Sequence, residues 1–347
     1  MVSEQSEPVR PAAERRPAAY NSVAALVEAV HQGSARAVGR LISMVENGSP
    51  SLREAMRLLA PSTGRAQVVG ITGSPGVGKS TTTTALVAAL RAEGQRVGVL
   101  AVDPSSPFSG GALLGDRVRM QSHALDPEVF IRSMANRGHL GGLSVAAPQA
   151  LRVFDAAGCD TVLVETVGVG QSEVEIASAA DITLVLLAPG MGDGIQAAKA
   201  GILEIGDIFV VNKADREGAQ SLIRELRSMV ALAERTPQEW KPPIVTTVAS
   251  KAEGVDDLRA AIGRFRLQAE KTGTWQERRW ERARREVQGL ALGLLRSRFS
   301  THPRTGLDAL ALEVRDGLLD PYTAADRVLA QLAPPPAWQQ DSPPTMR

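Results

Sequence analysis

The sequence predicts an α/β fold in which a mostly parallel sheet is covered by helices on both faces and extended by helices at both ends. Three observations support this prediction. Short apolar runs alternate with helical stretches through the middle of the chain, and a glycine-rich loop joins the first run to a helix. Both ends show only the three-to-four spacing of apolar residues that is typical of amphipathic helices.

The middle of the chain contains short apolar runs that are rich in β-branched residues. They occupy residues 68–71, 97–102, 129–131, 161–164, 182–187, 208–211 and 244–248. Runs of this length that are apolar throughout, with helices between them, indicate parallel strands buried on both faces. Functional loops are therefore expected at the carboxyl ends of the strands.

The two ends of the chain are predicted to be helical. Residues 21–59 repeat apolar side chains at helical spacing with breaks at Gly33 and Gly48, and a second helical pattern runs from Val255 to about Leu332. We therefore divide the chain into a disordered leader (1–19), an N-terminal helical segment (20–62), a nucleotide-binding domain (63–265), a C-terminal helical dimerisation region (266–333) and a disordered tail (334–347).

The composition excludes several classes of protein. Lys and Arg total 39 against 38 Asp and Glu, so no overall field attracts nucleic acid or anionic lipid. The arginines of residues 277–285 alternate with acids, which predicts a solvated helix face. No apolar run approaches the roughly 18 residues that cross a membrane. The single cysteine, Cys159, excludes an internal disulfide and indicates a reducing compartment, so a cytoplasmic protein is expected.

A phosphate-binding loop follows the first apolar run. It contains, in order, Gly73, Ser74, Pro75, Gly76, Val77, Gly78, Lys79, Ser80 and Thr81. Its glycines let backbone N–H groups curl around phosphate oxygens, and the dipole of the following helix adds attraction. Lys79 is expected to reach the β- and γ-phosphates, and the Ser80 hydroxyl to ligate Mg²⁺. This motif specifies the fold class as that of the P-loop nucleoside triphosphatases.

An acid that completes a Mg²⁺ site is expected at the end of another core strand. Glu165 directly follows the run at residues 161–164, and Gly168 comes three residues later. We expect Glu165 to hold a metal-bound water and the Gly168 N–H to approach the γ-phosphate. Asp103, at the end of the run at residues 97–102, is the candidate for activating the attacking water.

A base-recognition motif follows the run at residues 208–211. In Asn212-Lys213-Ala214-Asp215 the carboxylate is expected to accept hydrogen bonds from guanine N1–H and N2–H₂, while Asn212 and Lys213 brace the loop and the ring. Adenine has no such donor pair, so GTP is favoured over ATP. The last strand ends in Val248, Ala249 and Ser250, where the Ala249 N–H is expected to reach guanine O6.

Taken together, these motifs resemble the MeaB/ArgK family, within the SIMIBI class of P-loop GTPases. The resemblance runs from about residue 24 to residue 332. It depends on residues 70–80, 101–107, 115–120, 137–143, 165–173 and 189–199. The family includes the methylmalonic aciduria type A protein, and its motifs are highly specific.

The resemblance implies roles for individual residues. Asp103 would be the switch I acid near the attacking water, and Asp116 and Glu165 would lie around Mg²⁺ with Ser80. Residues 171–175 would form switch II. Residues 188–199 would form a third switch that senses the partner and brings Lys199 towards the nucleotide. Asp103, Lys79 and Lys199 are thus the expected catalytic residues, and Asp103 is also a possible metal ligand.

The resemblance also implies a partner. It predicts a homodimeric GTPase that acts as a chaperone for adenosylcobalamin-dependent methylmalonyl-CoA mutase, gating cofactor loading and limiting or rescuing inactivation. A cobalamin adenosyltransferase is a further candidate partner. Two alternatives are a nickel-insertion accessory GTPase, which needs Cys and His metal sites, and a transport-linked kinase, which would favour ATP.

Overall fold

A computed structural model describes residues 20–104, 121–123, 125–136, 143–166, 178–190, 205–232, 236, 239–301 and 306–332. Its centre is a sheet of parallel strands in the order β3-β2-β4-β1-β5-β6-β7. The strands are β1 (Gln67–Thr72), β2 (Val97–Pro104), β3 (Val129–Asn136), β4 (Thr161–Thr166), β5 (Ile182–Leu187), β6 (Ile208–Asn212) and β7 (Ile244–Thr247). Each overlaps one of the predicted apolar runs, with β3 extending five residues beyond its run, so the α/β fold class is confirmed.

Helices cover both faces of this sheet and form both ends of the described chain. They are α1 (Val23–His31), α2 (Ala35–Glu46), α3 (Leu52–Leu59), α4 (Lys79–Ala92), α5 (Leu143–Ala156), α6 (Ala219–Leu232), α7 (Val255–Thr272), α8 (Thr274–Thr301), α9 (Leu307–Arg315) and α10 (Pro321–Leu332). Single 3₁₀ turns lie at Ala60–Ser62, Gln121–His123 and Ala249–Lys251.

The two faces of the sheet bury different helices. On one face α5 packs against β2 and β4, and α1 to α3 form a further layer over α5 and the end of the sheet at β3. On the other face α4 and α7 cover the central strands, with Leu86, Leu258 and Phe265 fully buried. Because α1 to α3 share this core, the N-terminal helices are part of the sheet's packing. Cys159 is also buried there, and burial raises the pKa of its thiol, as suits a core residue.

The C-terminal helices continue directly from the sheet-covering layer. Helix α7 runs without a break through residue 265, where the sequence suggested a domain boundary. Its successor α8 crosses the edge of the sheet at the amino ends of the strands, opposite the phosphate loop. Helices α9 and α10 then pack against each other through Leu310, Ala324 and Val328. The predicted leader and tail lie outside the described residues, and the segment boundaries remain predictions.

Three arginines of α8 are not part of the solvated face that the charge pattern suggested, whereas Arg284 and Arg285 are exposed and pair with Glu281 as expected. Arg278 forms two hydrogen bonds of 2.8 Å with the carboxylate of Asp207, which precedes β6. Arg279 and Arg282 lie 3.4 and 2.9 Å from the carboxylate oxygens of Asp181, which precedes β5. Both carboxylates are buried. The prediction was wrong for these three arginines because they pair with acids that are distant in sequence, which fastens α8 to the sheet.

We expect Arg278→Ala to lower the free energy of unfolding by about 2 kcal/mol, because it leaves the buried Asp207 carboxylate without its cation. Burial alone lowers the pKa of Arg278, but the hydrogen bonds and charge of Asp207 outweigh it and raise the pKa. Urea denaturation of the full chain measures the loss. Arg285→Ala, at an exposed position on the same helix, is the matched control and should change little. Equal midpoints for the two variants would contradict a stabilising role for this contact.

Candidate functional site: a nucleotide pocket

The phosphate loop lies at the carboxyl edge of the sheet, in its centre. Strand β1 lies between β4 and β5 and ends at Thr72, and α4 begins at Lys79. Gly78 caps α4 with φ +98°, and a β-carbon there would collide with the side-chain nitrogen of Asn212. A β-carbon at Gly73, whose φ is +141°, would collide with the carbonyl of Leu186 in β5. Only glycine allows this loop to pack so closely against its neighbours.

Lys79 is buried, and its ammonium group lies across the mouth of the loop. Nζ donates to the carbonyls of Gly73 at 2.7 Å and Ser74 at 3.1 Å. The first turn of α4 contains no acid, so the helix dipole favours an anion at this point. The loop therefore combines a held cation with the positive end of a helix, as binding of a nucleotide phosphate requires.

Two of the four predicted metal residues, Ser80 and Glu165, meet beside this loop. The Ser80 hydroxyl donates to Glu165 Oε1 at 2.6 Å, and Thr83 donates to Oε2 at 3.0 Å. Glu165 is only 4% exposed, and both of its carboxylate oxygens accept hydrogen bonds within the protein. The Ser80 hydroxyl thus directs its proton to the carboxylate. Hydroxyl and carboxylate oxygens are the ligands that Mg²⁺ prefers, so this donor set fits Mg²⁺.

Asn212 connects the phosphate loop with the base-recognition loop. Its amide nitrogen donates to the carbonyl of Val77 at 2.8 Å. Its amide oxygen accepts from Thr247 Oγ1 and from the Ala249 N–H, both at 3.1 Å. Because Asn212 is buried and all three bonds are made, the two loops are held at a fixed separation.

Asp215 and Lys213 line the outer part of the pocket. The Asp215 side chain is 43% exposed and pairs with Lys251 Nζ at 3.3 Å. Lys213 has φ +56° and donates from Nζ to the carbonyl of Gly76 at 2.7 Å. The lysine stem therefore lies across the gap between the two loops, where a base would stack, and the Asp215 carboxylate remains accessible to hydrogen donors of that base.

The end of β7 differs from the expectation in one detail. The Ala249 N–H, expected to reach guanine O6, donates instead to Asn212 Oδ1. The next amide, that of Ser250, has no acceptor among the described residues and is the better candidate for a base oxygen. Val248 is buried, and its carbonyl accepts from the Lys251 N–H within the 3₁₀ turn.

The remaining predicted site residues lie either on β2 or outside the described residues. Asp103 lies near the end of β2, at the same edge of the sheet as the phosphate loop, with its Cα opposite that of Ala135. Asp116, Gly168, Lys199 and the predicted switch II lie outside the described residues, as does the predicted third switch beyond Gly190.

Sequence reasoning missed Thr83, Thr247 and Lys251, which contact Glu165, Asn212 and Asp215. Thr83 had a detectable signal, since it follows Ser80 by three residues on the same helix face. Thr247 and Lys251 had none, because their partners lie in a different loop.

In the part of the chain that is described, no three His, Cys, Asp or Glu side chains are grouped to hold a metal ion. No described helix is long and apolar enough to cross a bilayer.

Comparisons with known proteins agree with this geometry. The family model of the methylmalonyl Co-A mutase-associated GTPase MeaB matches residues 38–304. A protein of Pyrococcus abyssi that is named as a GTPase is 46% identical over 310 residues, covering 88% of this chain and 96% of that protein. The mitochondrial methylmalonic aciduria type A homolog of Mus musculus is 35% identical over 266 residues, covering 75% of this chain and 64% of that protein.

A solved structure also matches most of the chain. The crystal structure of a LAO/AO transport system kinase has a TM-score of 0.66 and 27% identity, covering 89% of this chain and 97% of that one. The family match extends over the phosphate loop, Glu165, Asn212 and Asp215, all of which lie within residues 38–304. The chain is therefore a P-loop GTPase that belongs to the MeaB family.

Proposed function

We propose that this GTPase binds GTP in the pocket between the phosphate loop and Asp215 and serves an adenosylcobalamin-dependent methylmalonyl-CoA mutase as its chaperone. The observation that supports nucleotide recognition best is the set of hydrogen bonds made by Asn212, which holds both loops in one rigid unit. The partner is supported by the description of the matching family, which is that of a methylmalonyl Co-A mutase-associated GTPase.

Hydrolysis in this pocket depends on positioning and charge. Water attacks the γ-phosphorus of GTP, the bond to the β–γ bridging oxygen breaks, and GDP and phosphate leave. Lys79 neutralises charge that spreads over the phosphate oxygens, and the α4 amides hold the phosphates in line. We assign Asp103 to orienting the attacking water and Lys199 to approaching the nucleotide when a partner orders its segment.

Mg²⁺ is the cofactor that this donor set suits. Ser80 and Glu165 would hold it, Glu165 through a water, and Asp103 and Asp116 are further candidates. When bound, it would neutralise charge on the β- and γ-phosphates. The contact of Ser80 with Glu165 positions the hydroxyl for this task before the cation arrives.

A partner can sense the nucleotide through the segments that follow β4 and β5. Both strands flank β1 and end at the edge that carries the phosphate loop. A mutase that binds those segments would therefore be sensitive to the γ-phosphate, and its binding would in turn favour one nucleotide state. We infer that this coupling gates cofactor loading and protects or reactivates the mutase. A cobalamin adenosyltransferase is the further partner proposed for loading.

The C-terminal region is proposed to form a homodimer. Helices α9 and α10 enclose an apolar groove of about 460 Å³, and several leucines on α8, on α9 and α10 and between those two helices are exposed. They include Leu292, Leu294, Leu312, Leu318 and Leu329. Apolar surface on this scale is typical of an interface. A cytoplasmic location is part of the same proposal.

Capture of the methylmalonyl-CoA mutase from the same organism tests the partner. We expect the immobilised full chain to retain the mutase differently with GDP and with a non-hydrolysable GTP analogue, and its GTP hydrolysis to accelerate at least tenfold when the mutase is added. Pull-down and phosphate release measure the two effects. Capture that ignores the nucleotide, or no capture, would contradict the chaperone role.

The two alternatives make different predictions. A transport-linked kinase would bind ATP at least as well as GTP, whereas the exposed carboxylate of Asp215 favours the donor edge of guanine. A nickel-insertion GTPase would bind nickel in a titration without nucleotide. No observation in the described chain favours either alternative over the mutase chaperone.

A further inference from the structure

A groove lies at the β3 end of the sheet, away from the nucleotide pocket at the centre of the sheet. It has no part in the function proposed above. It encloses about 640 Å³ between α2 and β3. Four successive residues of β3, numbered 129–132, line one wall, and Arg36, Gly39, Arg40 and Ser43 line the other. Since successive strand residues point to opposite faces, a wall made of four in a row is the backbone edge of the strand.

That backbone edge is unpaired by any other strand in the described chain. Strand β3 is the last in the sheet order and pairs only with β2. An edge strand presents N–H and C=O groups that can bond an added strand. The lined stretch of β3 spans about 10 Å at the usual strand rise, and Arg36 to Ser43 spans about 10 Å along the α2 axis. The groove thus matches about four residues of extended chain.

The groove carries positive charge without an acid among its lining residues. Arg36, Arg40 and Arg132 line it, and no Asp or Glu does. Arg40 is exposed and makes no hydrogen bond or ion pair within the described residues. Arg132 donates to the Ser43 hydroxyl and lies 3.7 Å from Glu46, which is a loose ion pair. A carboxylate in the groove would therefore gain Arg40 directly and compete for Arg132.

The groove is also open above Gly39. A β-carbon built at Gly39 would meet no atom within 4 Å. A larger side chain there would project towards the strand edge and narrow the groove. Phe130 and Phe154 form an apolar floor, so the site combines a buried apolar base with charged walls.

We propose that this groove binds an extended acidic segment of a partner protein, which adds to β3 as a further strand and directs its carboxylates towards Arg40 and Arg132. Backbone hydrogen bonds to β3 supply affinity, and the arginines select acidic residues at alternate positions, because alternate side chains of a strand face the same side. The inference is independent of the mutase and of the nucleotide pocket.

A phage-displayed library of random octapeptides, screened on the full GDP-loaded chain, tests the proposal. We expect enriched peptides to carry Asp or Glu at alternate positions and to protect the outward-facing amide of Ile131 from hydrogen exchange, because the Val129 N–H already donates to the Asp126 carbonyl and the amides of residues 130 and 132 face β2. Arg40→Glu should weaken the best peptide at least tenfold. The matched control is Arg57→Glu, an exposed arginine of α3 outside the groove, which should change affinity less than twofold.

Two further arms separate strand addition from simple charge attraction. Methylation of alternate backbone nitrogens in the same peptide should weaken binding at least tenfold, because it removes donors to β3. GDP affinity should be equal in the parent and Arg40→Glu chains, which shows that the variant is folded. Enrichment without acidic residues, binding that survives Arg40→Glu, or displacement by inorganic phosphate at peptide concentrations would overturn the proposal.

Discussion

Asp215→Asn is expected to change the base preference of the pocket from guanine to xanthine. The carboxylate of Asp215 accepts from both N1–H and N2–H₂ of guanine, whereas an amide offers one acceptor and faces the guanine amino group with its own donors. Xanthine carries a carbonyl at that position, which accepts from the amide. We expect guanine nucleotide affinity to fall at least 100-fold, a loss of about 3 kcal/mol, and xanthine nucleotide affinity to rise.

Titrations with fluorescent GDP and XDP measure this exchange. Asp256→Asn is a matched control, since that carboxylate is 91% exposed in the first turn of α7 and lies outside the pocket. The ion pair of Asp215 with Lys251 is exposed, so its loss should not alter the melting temperature. If the Asp215 variant keeps its preference for guanine, base recognition lies elsewhere and the proposed pocket is wrong.

Lys79→Met is expected to reduce GTP hydrolysis at least 1,000-fold. Methionine keeps most of the buried volume but removes the ammonium group that bonds the Gly73 and Ser74 carbonyls. The γ-phosphate then loses a positioned positive charge in a site from which water is largely excluded. One hydrogen-bond donor in such a site contributes about 100- to 1,000-fold to the rate, and a full charge contributes more. GTP affinity should fall more than GDP affinity, because only GTP carries the γ-phosphate.

Single-turnover phosphate release and nucleotide titrations measure these two effects. Lys271→Met, at an exposed position near the end of α7, controls for the loss of a lysine and should keep the parent rate. The Lys79 and Asp215 variants should differ in their effects. The Lys79 variant keeps the base preference and loses hydrolysis, whereas the Asp215 variant changes the base preference. A Lys79 variant with more than a tenth of the parent rate would remove Lys79 from the catalytic residues.

The phosphate and base motifs could be predicted because each is local. The residues from Gly73 to Ser80 form one loop between a strand and a helix, and Glu165 and Asp215 each follow a core strand directly. Parallel strands place their carboxyl ends at one edge, so motifs distant in sequence are expected to meet there. That reasoning anticipated the neighbourhood of Ser80 and Glu165, though not their direct hydrogen bond.

Other contacts could not be predicted because one sequence pattern has two physical outcomes. Arginines alternating with acids suit a solvated helix as well as a helix paired with buried carboxylates, and only the position of Asp181 and Asp207 decides between them for α8. The Ala249 amide likewise suits either a base oxygen or the Asn212 side chain. In each case the choice depends on which acceptor the fold brings within about 3 Å.

The sequence by itself determined the strands, the helices and the chemistry of each motif, since apolar periodicity and local backbone requirements such as those of Gly73 and Gly78 act over a few residues. The tertiary structure alone decided which distant groups pair, such as Asn212 with Val77 and Arg278 with Asp207, and it placed the arginines of α2 beside the edge of β3. Hydrogen bonds and ion pairs act over a few ångströms, so they are specified only when packing fixes the separation of the elements that carry them.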